Sequence, residues 1–220
     1  MKKFELTSET KINVFGKKLF RIKALISFGD VKAGETGGWV EKEGNVNQSG
    51  DAWVSGNAEV FGNAEVFGDA EVFGNAMVSG NARVSGDAEV FGNAMVSGDA
   101  MVSGNARVSG DAEVFGDAEV FGNAMVSGDA RVSGNAEVSG NAEVFGDADC
   151  TTIHGFGTQF RTTTFFRCKD KKVRVACGCF FGTIPEFREQ VKDTRKGKIA
   201  EEYLMIADLM EKHFEVKSDE

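Results

Sequence analysis

The stretch of this chain best equipped for chemistry is Arg161-Thr162-Thr163-Thr164, followed by Arg167. Guanidinium groups beside hydroxyls can grip phosphate oxygens through charge-assisted hydrogen bonds, and arginine's planar fork suits that task better than lysine's point charge. Read as a strand, Arg161, Thr163 and Phe165 share one face, and Thr162, Thr164 and Phe166 share the other. A Thr-rich strand with solvated arginines has the same composition, so phosphate binding is an expectation for the structure to test. Arg21, in an alternating basic stretch near the N-terminus, is a further candidate ligand contact.

Other reactive side chains are sparse. The two histidines are His154, in a glycine-flanked stretch, and His213, near the end of the last expected helix, where it would complement the helix dipole. Cys168, Cys177 and Cys179, with Cys150 or His154, add up to four metal ligands. Their Cys-x-Cys spacing is not that of a structural zinc site. Two apart on a strand, Cys177 and Cys179 also share a face, as buried small apolar residues would. Neither a metal nor a cofactor is expected.

These residues must be positioned by something, and the dominant element is a repeat. From Gly38 to Gly146 a glycine falls on every sixth residue, and from Asp51 the hexad reads [Asn/Asp]-Ala-x-Val-[Ser/Phe]-Gly. A fixed short period means a stacked array. Ala and Val, two apart, point to one side and make the core, while x and Ser/Phe face outward. Gly followed by Asn or Asp turns the corner. The pattern resembles the hexapeptide-repeat left-handed β-helix, in which three hexads make a triangular coil of about eighteen residues. That resemblance implies a mainly β fold of about six coils; a right-handed, bactofilin-like triangular helix is the alternative.

A longer period of twenty-four residues overlies the hexads, as in Met77, Met101, Met125 and Arg83, Arg107, Arg131. Four hexads do not fit a three-hexad coil, so each residue type walks around the prism. This reads as tandem duplication and makes the rod a scaffold or spacer. Phe61, Phe67, Phe73, Phe91, Phe115, Phe121 and Phe145 all occupy the outward position before the glycine, and only Phe73 and Phe91 fall on adjacent coils of one face. Exposed apolar patches mark interfaces, which makes Phe73, Phe91, Phe115 and Phe121 candidates for rod-to-rod contact. Hexapeptide-repeat proteins are commonly trimers, so the resemblance implies a homotrimer.

The ends differ in kind. Residues 1–37 read as a small β cap, with strands Lys11 to Phe15 and Leu19 to Ile26 around Gly16-Lys17-Lys18. Trp39 and Trp53 are expected to cover the open end of the core. The hexad fails at Asp147-Ala148-Asp149-Cys150-Thr151-Thr152, where Cys replaces Val and Thr the corner Gly, and Ile153 to Gly157 reads as a linker. A hairpin follows, Gln159 to Cys168 and Val173 to Phe181. Thr183-Ile184-Pro185-Glu186 has the form of a capping box, opening a helix with Phe187 and Val191 on one face. A second helix, Lys198 to Phe214, carries Ile199, Tyr203, Ile206, Met210 and Phe214 at helical spacing. The expected division is a cap (1–37), a rod (38–152) and a ββαα domain (153–220).

Gly37-Gly38-Trp39-Val40-Glu41 before the repeats resembles the start of a family of phage and prophage proteins. Thr162 to Asp170, Cys177-Gly178-Cys179-Phe180, Gly182-Thr183 and Glu186-Phe187 resemble its end. Members carry a variable number of hexapeptide repeats between similar ends. The resemblance implies a phage gene working in bacterial cytoplasm, and no mechanism. The start of the chain has no apolar leader and no run approaches a membrane span, and four cysteines without a leader fit a reducing cytosol. Net charge is uneven: +4 over residues 1–37, −15 over 38–152 and +2 over 153–220. An acidic rod repels free nucleic acid along its length. Four functions follow as expectations. The first is a non-enzymatic accessory protein that sequesters a phosphate-bearing host signal nucleotide. The others are an acidic DNA mimic, a structural spacer, and an acyltransferase with His154 as its base.

Overall fold

The computed structural model describes residues 2–158 and 160–215. Its body is a parallel β-solenoid of sixteen two-residue strands, Trp53–Val54 through Glu143–Val144. Each strand from Trp53–Val54 to Met125–Val126 pairs in parallel with the one eighteen residues on, as in Glu65↔Arg83, Glu89↔Arg107 and Glu59↔Met77. The expected three-hexad coil is the one observed. Hexad Ala and Val side chains from Ala52 to Val144 are buried in one continuous core. Outward x residues keep the ladder through their backbone, Glu71 N–H donating to Ala88 C=O at 2.9 Å.

Corners need glycine for two reasons. Gly98 has φ +72°, and a Cβ there would sit 2.9 Å from both N and O of Gly116 on the next coil. Next to the glycines, asparagines stack into amide ladders: Asn57→Asn75 at 3.2 Å, Asn75→Asn93 at 3.1 Å and Asn93→Asp111 at 2.9 Å. The last rung ends on a carboxylate, which cannot pass the bond on.

The twenty-four-residue period has a consequence for the surface. Because twenty-four exceeds the coil by one hexad, it places a Glu of one unit directly below an Arg of the next. The ion pairs Glu65–Arg83 (4.0 Å), Glu89–Arg107 (2.8 Å) and Glu113–Arg131 (3.4 Å) result. They fall on three successive sheets, so the pairs wind around the rod. Exposed pairs of this kind contribute about 0–1 kcal/mol each.

At the N-terminus, β1 (Phe4–Ile12) and β2 (Lys18–Ala24) form an antiparallel hairpin, and β2 pairs with β3 (Thr36–Val40). β3 then pairs in parallel with Glu59–Val60, so the cap extends one face of the rod. The hairpin turns earlier than the glycine suggests, because Asn13 Oδ1 accepts from the N–H groups of Phe15 and Lys17, both at 3.0 Å. Phe4, Ile22 and Ala24 close the core end beside Trp53, whose ring meets Phe4 and Phe28 edge-on at 6.2 and 5.4 Å. Trp39 departs from expectation: it sits on the flank, in a separate cluster with Leu19 and Phe61 under the hairpin.

At the other end the expected linker is a strand. β4 (Cys150–Phe156), β5 (Arg161–Arg167), β6 (Val173–Cys177) and β7 (Phe180–Thr183) form an antiparallel meander. α1 (Ile184–Thr194) and α2 (Lys198–Glu215) follow, so the unit is ββββαα and not ββαα. Thr151-Thr152-Ile153 supplies the β-branched side chains that favour pairing, and β4 aligns them with Phe165, Thr164 and Thr163. The centre of the sheet, β5 and β6, is buried on both faces. Phe166 and Ala176 close the rod core, whereas Phe165 and Val175 pack on Phe187, Tyr203 and Ile206 of the helices. Thr183 and Glu186 form the capping box that starts α1.

Candidate anion-binding site

The strand expected to grip phosphate is divided by this double burial. Thr163 and Thr164 are 2 % and 1 % exposed. Thr164 Oγ1 accepts from Glu137 N–H at 3.0 Å and so terminates a ladder of the rod. Thr163 Oγ1 donates to Cys177 Sγ at 3.1 Å, on the helical side. Thr162 Oγ1 lies 3.1 Å from His154 Nδ1. Arg167 pairs with Asp149 at 3.2 Å, donates to Phe214 C=O at 2.5 Å and lies over the Phe214 ring. Arg21 stacks on Trp39 and donates to Gly56 C=O at 3.3 Å. These five residues do not converge on one surface, and Arg167 and Arg21 are held by partners within the fold.

Arg161 sits apart from them. It opens β5 and lines a cleft of about 390 Å³ with Thr194 at the end of α1, Arg195 and Lys196 from the α1–α2 connection, and Tyr203 from α2. Among the described residues the lining has three cationic side chains and no carboxylate. Two glycines with positive φ shape it. At Gly157 (φ +74°) a Cβ would strike the Tyr203 hydroxyl, which donates to Phe156 C=O at 3.2 Å. At Gly178 (φ +61°) a Cβ would strike the Arg161 guanidinium, so glycine lets Arg161 lie across the β6–β7 turn. Burial, with Cys177 close by, raises the Tyr203 phenol above its ordinary value, and the Arg195 and Arg161 charges oppose that rise. A narrower recess of about 80 Å³ adjoins, lined by Cys177, Cys179, Phe180 and Phe187. Arg195, Lys196 and Tyr203 escape a linear reading because they lie more than thirty residues from Arg161. The local signal was Arg195-Lys196-Gly197, a basic turn between two helices.

Such a cleft can hold an anion, since opposed charges in a partly enclosed site are screened less than on open surface. The other candidates lie elsewhere. Cys150 and Cys168 are buried in the rod-end core, and burial pushes their thiols up to about 12 and about 11. Cys177 packs on the helical side. Among the described residues no group of three or more His, Cys, Asp or Glu is placed to hold a metal ion. His154 is exposed on β4, outside the cleft lining.

The outward phenylalanines have mixed fates. Phe73 and Phe91 stack face to face, 4.8 Å apart and 1° from parallel. Arg107 lies over Phe91 and Arg83 over Phe67. Phe61 is buried by the N-terminal hairpin, Phe121 is half-buried, and Phe115 and Phe145 are exposed. No helix among the described residues is long and apolar enough to cross a membrane.

A family model, the YdcK beta-solenoid repeat, matches residues 70–86 and 118–134, both within the rod. The two segments begin 48 residues apart, two of the longer repeats, and differ only at Asn81 against Asp129. No curated protein matches the chain.

Proposed function

We propose that this protein is a non-enzymatic binding protein. The rod is the scaffold, and the C-terminal unit sequesters a small phosphate-bearing molecule in its cationic cleft. One observation carries this reading: Arg161 and the adjacent pair Arg195-Lys196, from two places in the sequence, line one cleft whose described lining holds no carboxylate. Guanidinium and ammonium groups so placed supply charge-assisted hydrogen bonds to phosphate oxygens. The resemblance to phage and prophage repeat proteins supports an accessory role in bacterial cytosol. A host defence signal nucleotide is the ligand class that fits both features. Copies associate as a homotrimer in this reading, with Phe115, Phe145 and the exposed hairpin tip Ile12, Val14 and Phe15 as its apolar surface. Native mass spectrometry of protein purified from bacterial cytosol tests ligand and stoichiometry together. A trimer with a nucleotide-sized extra mass, lost in Arg195→Ala/Lys196→Ala, is expected; a ligand-free monomer sinks both parts.

One observation favours a second reading, an acidic mimic of DNA. The rod carries −15, and its corners stack carboxylates on successive coils, as at Asp51 and Asp69, where Asp69 Oδ1 accepts from Asp51 N–H at 3.0 Å. Pull-downs should then recover a DNA-binding protein that excess duplex DNA releases, and recovery of none sinks this reading.

A further inference from the structure

The spacing of Cys177 and Cys179 predicts a shared strand face, but the chain turns between the two thiols. Cys177 pairs with Phe180 across a two-residue loop, Gly178-Cys179. Gly178 has φ +61° and Cys179 is not left-handed, which makes a type II′ hairpin turn. Cys179 is exposed in this turn, while Cys177 stays half-buried at the end of β6. Both line one recess, beside Phe180 and Phe187.

We infer that this turn is a modification site: Cys177 and Cys179 close into a reversible intramolecular disulfide on exchange with a glutathione-class disulfide. The thiols react in this way whether or not the neighbouring cleft holds phosphate.

Reach comes first. Two residues apart, Cα atoms are at most about 7 Å from each other even in an extended chain. A bent turn brings them into the range of about 4.4–6.8 Å that disulfides span. A ring this small is strained, and strained, exposed disulfides are the readily reduced ones. The bond is therefore a reversible mark in a reducing compartment and not a permanent staple.

Exposure assigns the roles. Cys179 is the attacking thiol and Cys177 the resolving one, the pairing typical of redox-sensitive sites. The Arg161 guanidinium lies across Gly178, so the attacking thiolate forms beside a positive charge. Cys179 Sγ attacks one sulfur of glutathione disulfide and expels a glutathione thiolate. Cys177 Sγ then attacks Cys179 Sγ in the mixed disulfide and expels the second. The two thiol protons pass to the released thiolates: the protein dithiol is oxidised, and the glutathione disulfide is reduced to two glutathiones. Thr163, 2 % exposed, donates to Cys177 Sγ at 3.1 Å in the dithiol form. Closure breaks that bond, so Thr163 is a positioning residue that favours the open pair. Cys150 and Cys168 are buried in the rod-end core, out of reach of such exchange.

Val175 to Arg188 is one tryptic peptide with both thiols, and neither Cys150 nor Cys168 shares it. The full chain, equilibrated over a range of oxidised-to-reduced glutathione ratios, acid-quenched, alkylated after unfolding and digested, reports the pair by mass spectrometry. As the ratio rises the peptide should escape alkylation and become two hydrogens lighter, and excess reduced glutathione should reverse this. Cys150 and Cys168 should remain alkylated throughout. Cys177→Ser should halt the reaction with glutathione attached to Cys179, and Cys179→Ser should leave Cys177 alkylated. Thr163→Val, with circular dichroism unchanged, should raise the disulfide-to-dithiol ratio about threefold at a fixed glutathione ratio; no rise overturns the part given to Thr163. A peptide that stays a dithiol at every ratio overturns the site. So does glutathione persisting on Cys179 of the unsubstituted chain, or crosslinking of chains through Cys179.

Discussion

The rod and the C-terminal unit solve the problem of burial in opposite ways. The rod packs only Ala and Val in its coils and repeats the same few contacts every eighteen residues. The C-terminal unit packs aromatic rings chosen one at a time: Phe165 meets Phe187 edge-on at 6.3 Å, and Phe187 meets Tyr203 at 5.8 Å. A small residue interior leaves little freedom in corner or register, and the rod's flank is concave beside its first irregular coil, where Gln48, Phe67 and Arg83 line about 520 Å³. Unlike rings leave gaps between elements, and the cleft is one of them. The comparison teaches that the rod gives rigidity and length, whereas concavity arises where the period fails.

Adjacent phenylalanines of β5 give the largest test of this division. Phe166 belongs to the rod core and Phe165 to the helical core, and each truncation to Ala should cost about 3–5 kcal/mol. Hydrogen exchange should show Phe165→Ala loosening the helices alone and Phe166→Ala loosening the last coils too. Identical exchange patterns would merge the two regions into one cooperative unit.

Corner glycines come next. Gly98→Ala meets both a left-handed φ and the backbone of Gly116, and should cost about 2–4 kcal/mol. Gly134→Ala has φ +63° but nothing within 4 Å of the new Cβ, so about 1–2 kcal/mol is expected. Equal losses of thermal stability would show that inter-coil contact contributes little.

Acid should separate the two regions. Its hydrogen bond and charge from Arg188 hold the Glu211 carboxyl below its ordinary value. That stability is present above the ordinary carboxylate pKa of about 4.3 and is lost as pH falls through the depressed value. On the rod, burial raises Glu71 and Glu137, and the neighbouring Glu89 and Glu119 add to the rise. Protonation there favours the fold, so their contribution is lost as pH rises through the raised values and regained on acidification. Melting followed by hydrogen exchange at pH 7 and pH 4 should show the helices weakening first; a rod that weakens first contradicts this.

The smallest effect is a gain. Asp111→Asn would carry the amide ladder of Asn57, Asn75 and Asn93 one rung further. The expected stabilisation is about 0.2–1 kcal/mol, read as a raised melting temperature; a lowered one would show that the ladder does not matter.

The rod was legible because its information is local: six residues state core, surface and corner, and three such statements close a coil. Even there Trp39 misled, since only the fold shows that a hairpin covers the flank. At the C-terminus, periodicity and a capping box reveal the helices, and the Phe165-Phe166 doublet hints at a sheet buried twice. Arg161 was legible as a candidate contact; that Arg195, Lys196 and Tyr203 line the same cleft was not, because their proximity depends on how α2 crosses the sheet. Thr163 and Thr164 looked like phosphate donors, and whether a hydroxyl faces water or a neighbouring strand is a non-local fact.

The mismatch between repeat and coil makes the rod behave as a screw thread. Losing or gaining one twenty-four-residue unit shifts the C-terminal unit by one and a third coils, about 6 Å along the axis. It also turns that unit by a third of a revolution relative to the N-terminal cap. Glu still falls beneath Arg at the new join, as Glu89 now falls beneath Arg107. Losing one eighteen-residue coil would preserve orientation but break that pairing. Unequal recombination between units would therefore keep the rod intact while re-aiming its cleft, with three units bringing the heading full circle.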